Sequence, residues 1–229
     1  MSDQSFDFPL FGGEIEALAA GGMAAAVDAA AVAAVMEGIT ARAEAALAAV
    51  SPPEERAASA CAPGCSACCS VNVTVLTPEA IAISHYLRWF LEPPLLEEIR
   101  ARTADTAEKV RWMDDSERIF RNIPCPFLDG RGWCIIHPVR PLTCRALSSV
   151  DAGQCREALD AQSRGEEEPL LVNLHQKLLM DETFRRIAAG LGRQGLDDRG
   201  YELAAAVVTL LEQPGLPERF LAGEPKLLS

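Results

Sequence analysis

The chain has 229 residues, of which 49% are hydrophobic and 24% charged, with a formal net charge of −12. That apolar content is enough for a core, and the composition excludes wholesale disorder. The acidic balance argues against general nucleic-acid binding, which needs a basic footprint. Alanine, the best helix former, dominates many stretches while aromatics make up only 6%, so a mainly α fold is expected.

The first residues, MSDQSFDF, lack the basic start of a secretory signal. Residues 1–12 read as a flexible lead with aromatic anchors Phe6, Phe8 and Phe11. A long helix is expected from about Ile15 to Val50, bent near Gly21-Gly22 or Gly38 and stopped by Ser51-Pro52-Pro53. Its apolar part, Ile15 to Met36, is mostly alanine and is interrupted by Asp28, unlike the roughly 20 predominantly apolar residues of a membrane span. No membrane association is therefore expected. A cytoplasmic location follows as the default, and thiols stay reduced there.

Cys61 to Cys69, with Pro63 and Gly64, reads as a tight loop. Ser70 to Leu76 alternates like a short strand. Thr77 is the expected N-cap of a helix with Pro78 at its first position, running to about Phe90 or Leu91 and stopped by Pro93-Pro94. One or two helices should fill Leu95 to Arg121. Ile123 to Cys155, rich in proline, glycine and turns, should hold short strands and loops. Helices are expected again at about Leu170–Gly190, Asp197–Leu211 and Leu216–Ala222, with Gly190, Gly192 and Gly195 at ends or turns. The expected division is an N-terminal helical region (1–57), a cysteine-rich core (58–160) and a C-terminal helical region (161–229). The helices would wrap the core.

The eight cysteines stand at 61, 65, 68, 69, 125, 134, 144 and 155, and neither flanking helical region has any. In a reducing compartment, such clustering points to metal rather than to disulfides or scattered core thiols. Thiolates are soft ligands, and a tetrahedral or cuboidal centre needs about four of them. The turn Cys65-Ser-Ala-Cys68 can fold two sulfurs onto one metal, with remote cysteines completing the set. Adjacent Cys68 and Cys69 diverge in extended backbone and more naturally serve two centres, or one centre and a structural role. Eight thiols suffice for two four-cysteine sites or for a cluster beside a zinc. Residues 121–145 add Arg121, Arg131, Arg140 and Arg145 against Asp129 alone, a net of +3 in a chain of −12. That basic island suits an anionic metal centre, and the same guanidinium groups could receive an anionic substrate. Arg140 and Arg145, which bracket Cys144, are the candidate charge-compensating or anion-binding pair.

The loop Cys61-Ala-Pro-Gly-Cys65-Ser-Ala-Cys68-Cys69, then Cys125-Pro-Phe-Leu, then Gly132-Trp-Cys134-Ile-Ile-His137-Pro-Val-Arg140-Pro-Leu-Thr-Cys144-Arg145 and trailing Cys155 resemble the YkgJ-type cysteine-cluster family. That family carries the CxxCxxCC domain, a chelator of zinc or iron. The resemblance spans about 58–160 and implies metal chelation by Cys61, Cys65, Cys68, Cys69, Cys125, Cys134, Cys144 and Cys155. The family name implies a spacing of two where Cys61 and Cys65 are separated by three, which makes Cys61 the outlying ligand. His137 stands where the family commonly has tyrosine, so it is not expected to be a ligand, nor are His85 and His175. A similar cysteine region in flagellin lysine N-methylases raises an enzymatic alternative, and a metal carrier or redox sensor is a third. The spacing of Cys61, Cys65 and Cys68 matches the cluster loop of radical S-adenosylmethionine enzymes, but the strand–helix repeats of their barrels are missing. Cys125-Pro126 and the three-and-two spacing favour an iron–sulfur cluster, [4Fe–4S], over zinc. No dinucleotide turn, P-loop, nucleophile elbow or HExxH motif is present.

Overall fold

Apolar residues three and four apart give helices with one buried stripe. The computed structural model describes residues 6–62 and 64–228, and eleven α-helices make up most of them. The chain begins with α1 (Phe8–Ala25) and α2 (Ala29–Val50), an antiparallel pair. Phe11, Ile15, Ala19 and Met23 form the buried stripe of the first helix, and Val32, Met36, Ile39, Ala43 and Ala46 that of the second.

The break between them lies at Ala26–Asp28, not at the glycines. Asp28 accepts a hydrogen bond from the Ala31 amide at 2.8 Å and so caps α2. Gly22 is small because a Cβ there would meet the Val35 side chain at 2.6 Å. Helix also begins earlier than the expected flexible lead allows, at Phe8, with Asp7 accepting from the Leu10 amide. Residues 1–5 of that lead lie outside the described residues, as does Pro63 of the expected cysteine turn.

After the short α3 (Pro53–Ala57), the first cysteines lie in a loop that ends in a 3-10 turn (Ala67–Ser70). Strand β1 (Thr74–Leu76) is shorter than expected: the turn takes up Ser70, and residues 71–73 are irregular. Helix α4 (Thr77–Phe90) follows, and Thr77 is its first residue rather than its cap. The Glu79 carboxylate instead accepts from the Leu76 amide at 2.9 Å. Pro93-Pro94 do not merely stop a helix; they open α5 (Pro93–Val110), since proline lacks only a donor the first turn leaves unused. Helix α6 (Asp115–Phe120) completes this part.

The second cysteine region has no named strand among the described residues. An isolated bridge joins Leu128 to Cys134, a 3-10 turn spans His137–Val139, and α7 (Leu142–Ala146) and α8 (Ala152–Ser163) follow. Cys155 therefore sits on a helix rather than in a loop. Helix α9 (Leu174–Arg193) contains Gly190 and Gly192 and ends at a left-handed Gly195. Gly190 is where α9 crosses α1: a Cβ would lie 2.8 Å from the Glu16 carbonyl oxygen and 2.9 Å from the Ala19 methyl.

The expected Asp197–Leu211 helix divides into β2 (Gly200–Glu202) and α10 (Leu203–Glu212), and α11 (Leu216–Leu221) follows. Strand β2 pairs antiparallel with β1, matching Thr74 to Glu202, Val75 to Tyr201 and Leu76 to Gly200. This two-stranded sheet ties the end of the first cysteine loop to the C-terminal helices. The fold is mainly α, as composition implied, with one apolar core between α1, α2, α4, α9 and α10. No described helix is long and apolar enough to cross a membrane.

Candidate metal centre

Three separated pieces of chain converge on one cavity of about 130 Å³. The loop and 3-10 turn supply Cys61, Cys65, Cys68 and Cys69; the irregular stretch before the second 3-10 turn supplies Cys125 and Cys134; α7 supplies Cys144. Seven of the eight expected ligands thus line one space. Cys155, on α8, is not among the lining residues. All eight cysteines are free thiols: Cys61 is exposed and the rest are partly buried.

Hydrogen bonds draw the pieces together. The Cys125 amide donates to the Cys69 carbonyl at 2.6 Å, joining the two cysteine regions directly. The Cys69 amide donates to Ser66 at 3.0 Å, and the Cys65 amide to Ala62 at 2.9 Å. Gly64 occupies the left-handed region (φ +90°) at this turn, and the Trp133 indole packs against it.

The sulfurs sense one another. The Cys69 thiol donates to the Cys68 sulfur, and this bond is the largest influence bringing Cys68 down to about 7; Arg140 assists. The same bond, with burial and the neighbouring Cys125 and Cys144, pushes Cys69 far up. Burial pushes Cys125 up to about 12, opposed by the Phe127 amide, which points at its sulfur. Cys134 is raised by burial and opposed by the Ile136 amide and then Arg140. Burial also raises Cys144, helped by Cys125, Cys68 and Cys134. In Cys125 and Cys134 alike, the amide two residues onward faces the sulfur. Such donors stabilise a thiolate and tune a thiolate-bound metal.

The arginines divide in a way the sequence does not reveal. Arg121 pairs with Glu117 at 2.7 Å and Arg131 with Asp129 at 3.4 Å, both on the surface. Arg145 is buried and fully engaged: its Nε donates to the Arg140 carbonyl at 3.0 Å, one Nη to Pro138 at 2.8 Å, and the other pairs with Glu44. Arg140 lines the cysteine cavity, and its Nε is buried with no hydrogen-bond partner. Two further charged residues line this cavity and escaped sequence reasoning. Arg118, 2% exposed, donates to the Ile123 carbonyl, Asn72 and Glu202. Glu202 is raised by burial and caps α10 through the Ala205 amide. Arg118 lies on α6 between the two cysteine groups and Glu202 some fifty positions beyond Cys155, so neither carried a local signal.

His137 borders the cavity and is lowered by burial and then by Arg140 and Arg145, which favours the neutral imidazole. His85 lies in a neighbouring cleft, and His175 lines neither space.

As positioned, no three His, Cys, Asp or Glu side chains among the described residues form a ready coordination sphere. The donor set nonetheless suits a soft metal: clustered thiols, amides aimed at two sulfurs, and the guanidinium of Arg140 to offset thiolate charge.

Residues 60–165, just under half of the chain, match the model of the CxxCxxCC family, described as "Putative zinc- or iron-chelating domain". The segment is thus similar to that family. Its limits enclose all eight cysteines, Arg140 and Arg145, and zinc or iron chelation is the function the match supports. No curated protein and no solved structure matches the chain.

Proposed function

We propose that the protein holds one thiolate metal centre in this cavity, a [4Fe–4S] cluster in preference to zinc. The observation that carries the reading is the convergence of seven cysteines from three chain segments on a single space of about 130 Å³. One space favours one centre over two. Cys68, Cys69, Cys125, Cys134 and Cys144, whose sulfurs act on one another, are the inner set from which four ligands come. Cys61 and Cys65 stand outside that set, and Cys155 serves another purpose on α8. Free thiols in this number suit the cytoplasm.

A second reading, a cluster-dependent enzyme, is favoured by one observation. A larger cleft shares His137 and Arg140 with the cysteine cavity, so a substrate could lie beside the centre.

The test is metal analysis with an absorption spectrum on protein purified without oxygen. We expect iron and sulfide in stoichiometric amounts and a broad band near ~400 nm, bleached by dithionite, as for cysteine-held clusters. Colourless protein with one zinc would replace the cluster by zinc. Serine at Cys125 or Cys144 should remove most of the metal and much of the order of the cysteine loops, because metal binding is coupled to local folding. Serine at Cys61 or Cys155 should leave metal content nearly unchanged. Folded protein that holds neither metal defeats the proposal.

A further inference from the structure

Beside the cysteine cavity, α2, α4 and the 137–140 turn line a cleft of about 690 Å³. The two spaces differ in what they can hold. Sites for organic ligands run to about 300–1,000 Å³, so the cleft is of that size and the cysteine cavity is not. The cleft exists because α2 presents small side chains here: Ala30, Ala33 and Ala34 leave the room that larger residues would fill. Across it stand Tyr86 and Phe90, stacked at 4.6 Å between centroids, and Phe90 is 71% exposed. The body of the cleft is therefore apolar and its rim aromatic.

Its inner end is charged. Arg145 is consumed by Glu44 and two carbonyls, and Glu79 accepts from the Leu76 and Leu142 amides. Arg140 is the arginine of this wall left without a hydrogen bond or carboxylate among the described residues, with Nε buried. A buried donor with no partner is destabilising, so its retention calls for an acceptor that comes from elsewhere.

We propose that this cleft binds a monoanionic carboxylate with an apolar body, its carboxylate received by the fork of Arg140 and its body lying along the alanine wall. The guanidinium matches a carboxylate bidentately. A single negative charge is favoured over a phosphate dianion because one unpaired cation faces it, while Glu37 and Glu44 also line the cleft. The inference deepens the enzymatic reading by giving the class of ligand, but it does not require the metal.

Titration calorimetry of the full chain with acetate, octanoate, octanol and octyl phosphate tests it. Octanoate should bind at least about tenfold more tightly than acetate, because each buried methylene adds a factor of about three to four. It should also exceed octanol and octyl phosphate. Arg140→Gln should weaken octanoate by at least about tenfold, the loss expected of a buried charge-assisted pair. Because that variant could also disturb the metal, Ala34→Trp supplies an independent check. It fills the cleft from an exposed position on α2 and should abolish octanoate binding with zinc or iron content unchanged. The proposal fails if the wild type binds none of these compounds, if octanol binds as well as octanoate, or if either variant binds octanoate like the wild type. Wild-type protein that binds octanoate but no metal would defeat the metal centre and leave this site standing.

Discussion

The helical frame and the cysteine region are ordered by different forces. In the frame, α1, α2, α4, α9 and α10 bury continuous apolar stripes, and Phe11, Ile15, Ile39, Ile81, Ile187 and Val207 are essentially inaccessible. In the cysteine region the buried apolar side chains are few, chiefly Phe127, Ile136 and Leu142. What organises its backbone is a set of arginines that hold loop carbonyls: Arg102 on Pro126, Arg118 on Ile123, Arg145 on Pro138 and Arg140. Loops with little apolar surface cannot pack into one conformation by burial alone. Guanidinium groups supply the missing definition here, and a bound metal would complete it. Arg140 is the exception, which is why it, and not Arg145, is the candidate for a ligand from outside.

The largest effect expected of a single non-cysteine change follows from this division. Arg118 is 2% exposed and serves Ile123, Asn72 and Glu202 at once. Arg118→Ala should destabilise the protein by about 3–5 kcal/mol, because it leaves Glu202 without its cation. Urea unfolding measures the loss. Hydrogen exchange should place it in 117–135 and at the β1–β2 pair rather than in α1 or α9. Equal loss of protection in α1 and α9 would erase the distinction between the two regions.

Arg118 also marks where the sequence stopped being legible. The cysteines, their clustering and the helical class are local or compositional properties, and they could be read directly. Two helix starts were legible as caps but were not read so: Asp28 caps α2, where a bend was expected at Gly21-Gly22 or Gly38, and Asp151 caps α8 in a stretch expected to be loops and short strands. Gly22 and Gly190 are packing residues whose reason is the facing helix, which sequence does not show. The antiparallel pairing of Thr74–Leu76 with Gly200–Glu202 joins residues more than 120 positions apart, so Glu202 carried no sign of its place in the site. Of the four arginines of the basic island, Arg140 and Arg145 stood out as the pair beside Cys144, but nothing in the sequence separated one from the other. Carboxylate partners, Glu117, Asp129 and Glu44, hold three of the four, and the side chain of the fourth, Arg140, has no such partner among the described residues.

Glu79 joins the two regions, and its pH dependence should be the next largest effect. It belongs to α4, yet its carboxylate accepts from Leu142 at the start of α7 at 2.8 Å and from Leu76 at 2.9 Å. Burial raises it from 4.5 to about 7, against the pull of those two amides and of Arg145. Its folded value thus exceeds its unfolded value. The stability it contributes is fully present below about pH 4.5 and is lost as pH rises through about 7. The shift corresponds to the order of 3 kcal/mol. Wild-type protein should therefore lose up to a few kcal/mol more stability than Glu79→Gln between about pH 4 and pH 8. Metal-free samples of both, unfolded in urea across that range, test it. Parallel pH profiles would mean that Glu79 does not strain the junction.

The smallest effect separates two arginines of one basic island. Arg131 is 80% exposed, and its partner Asp129 already accepts the Arg131 and Trp133 amides at 2.8 Å each. The turn is therefore held by backbone donors, and the guanidinium adds only an exposed pair and a cation–π contact with Trp133 at 5.5 Å. Exposed pairs contribute little, since water screens them and ordering long side chains opposes them. Arg131→Ala should leave the melting temperature, the metal content and octanoate binding within measurement error of the wild type. Asp129→Ala should disturb the 129–133 turn, because two amides lose their acceptor, and with it the bridge from Leu128 to Cys134. If Arg131→Ala instead lowered metal content as much as Arg140→Gln, the island would act through its summed charge. The contrast between arginines that hold loops, arginines that face water and one kept for a ligand would then fail.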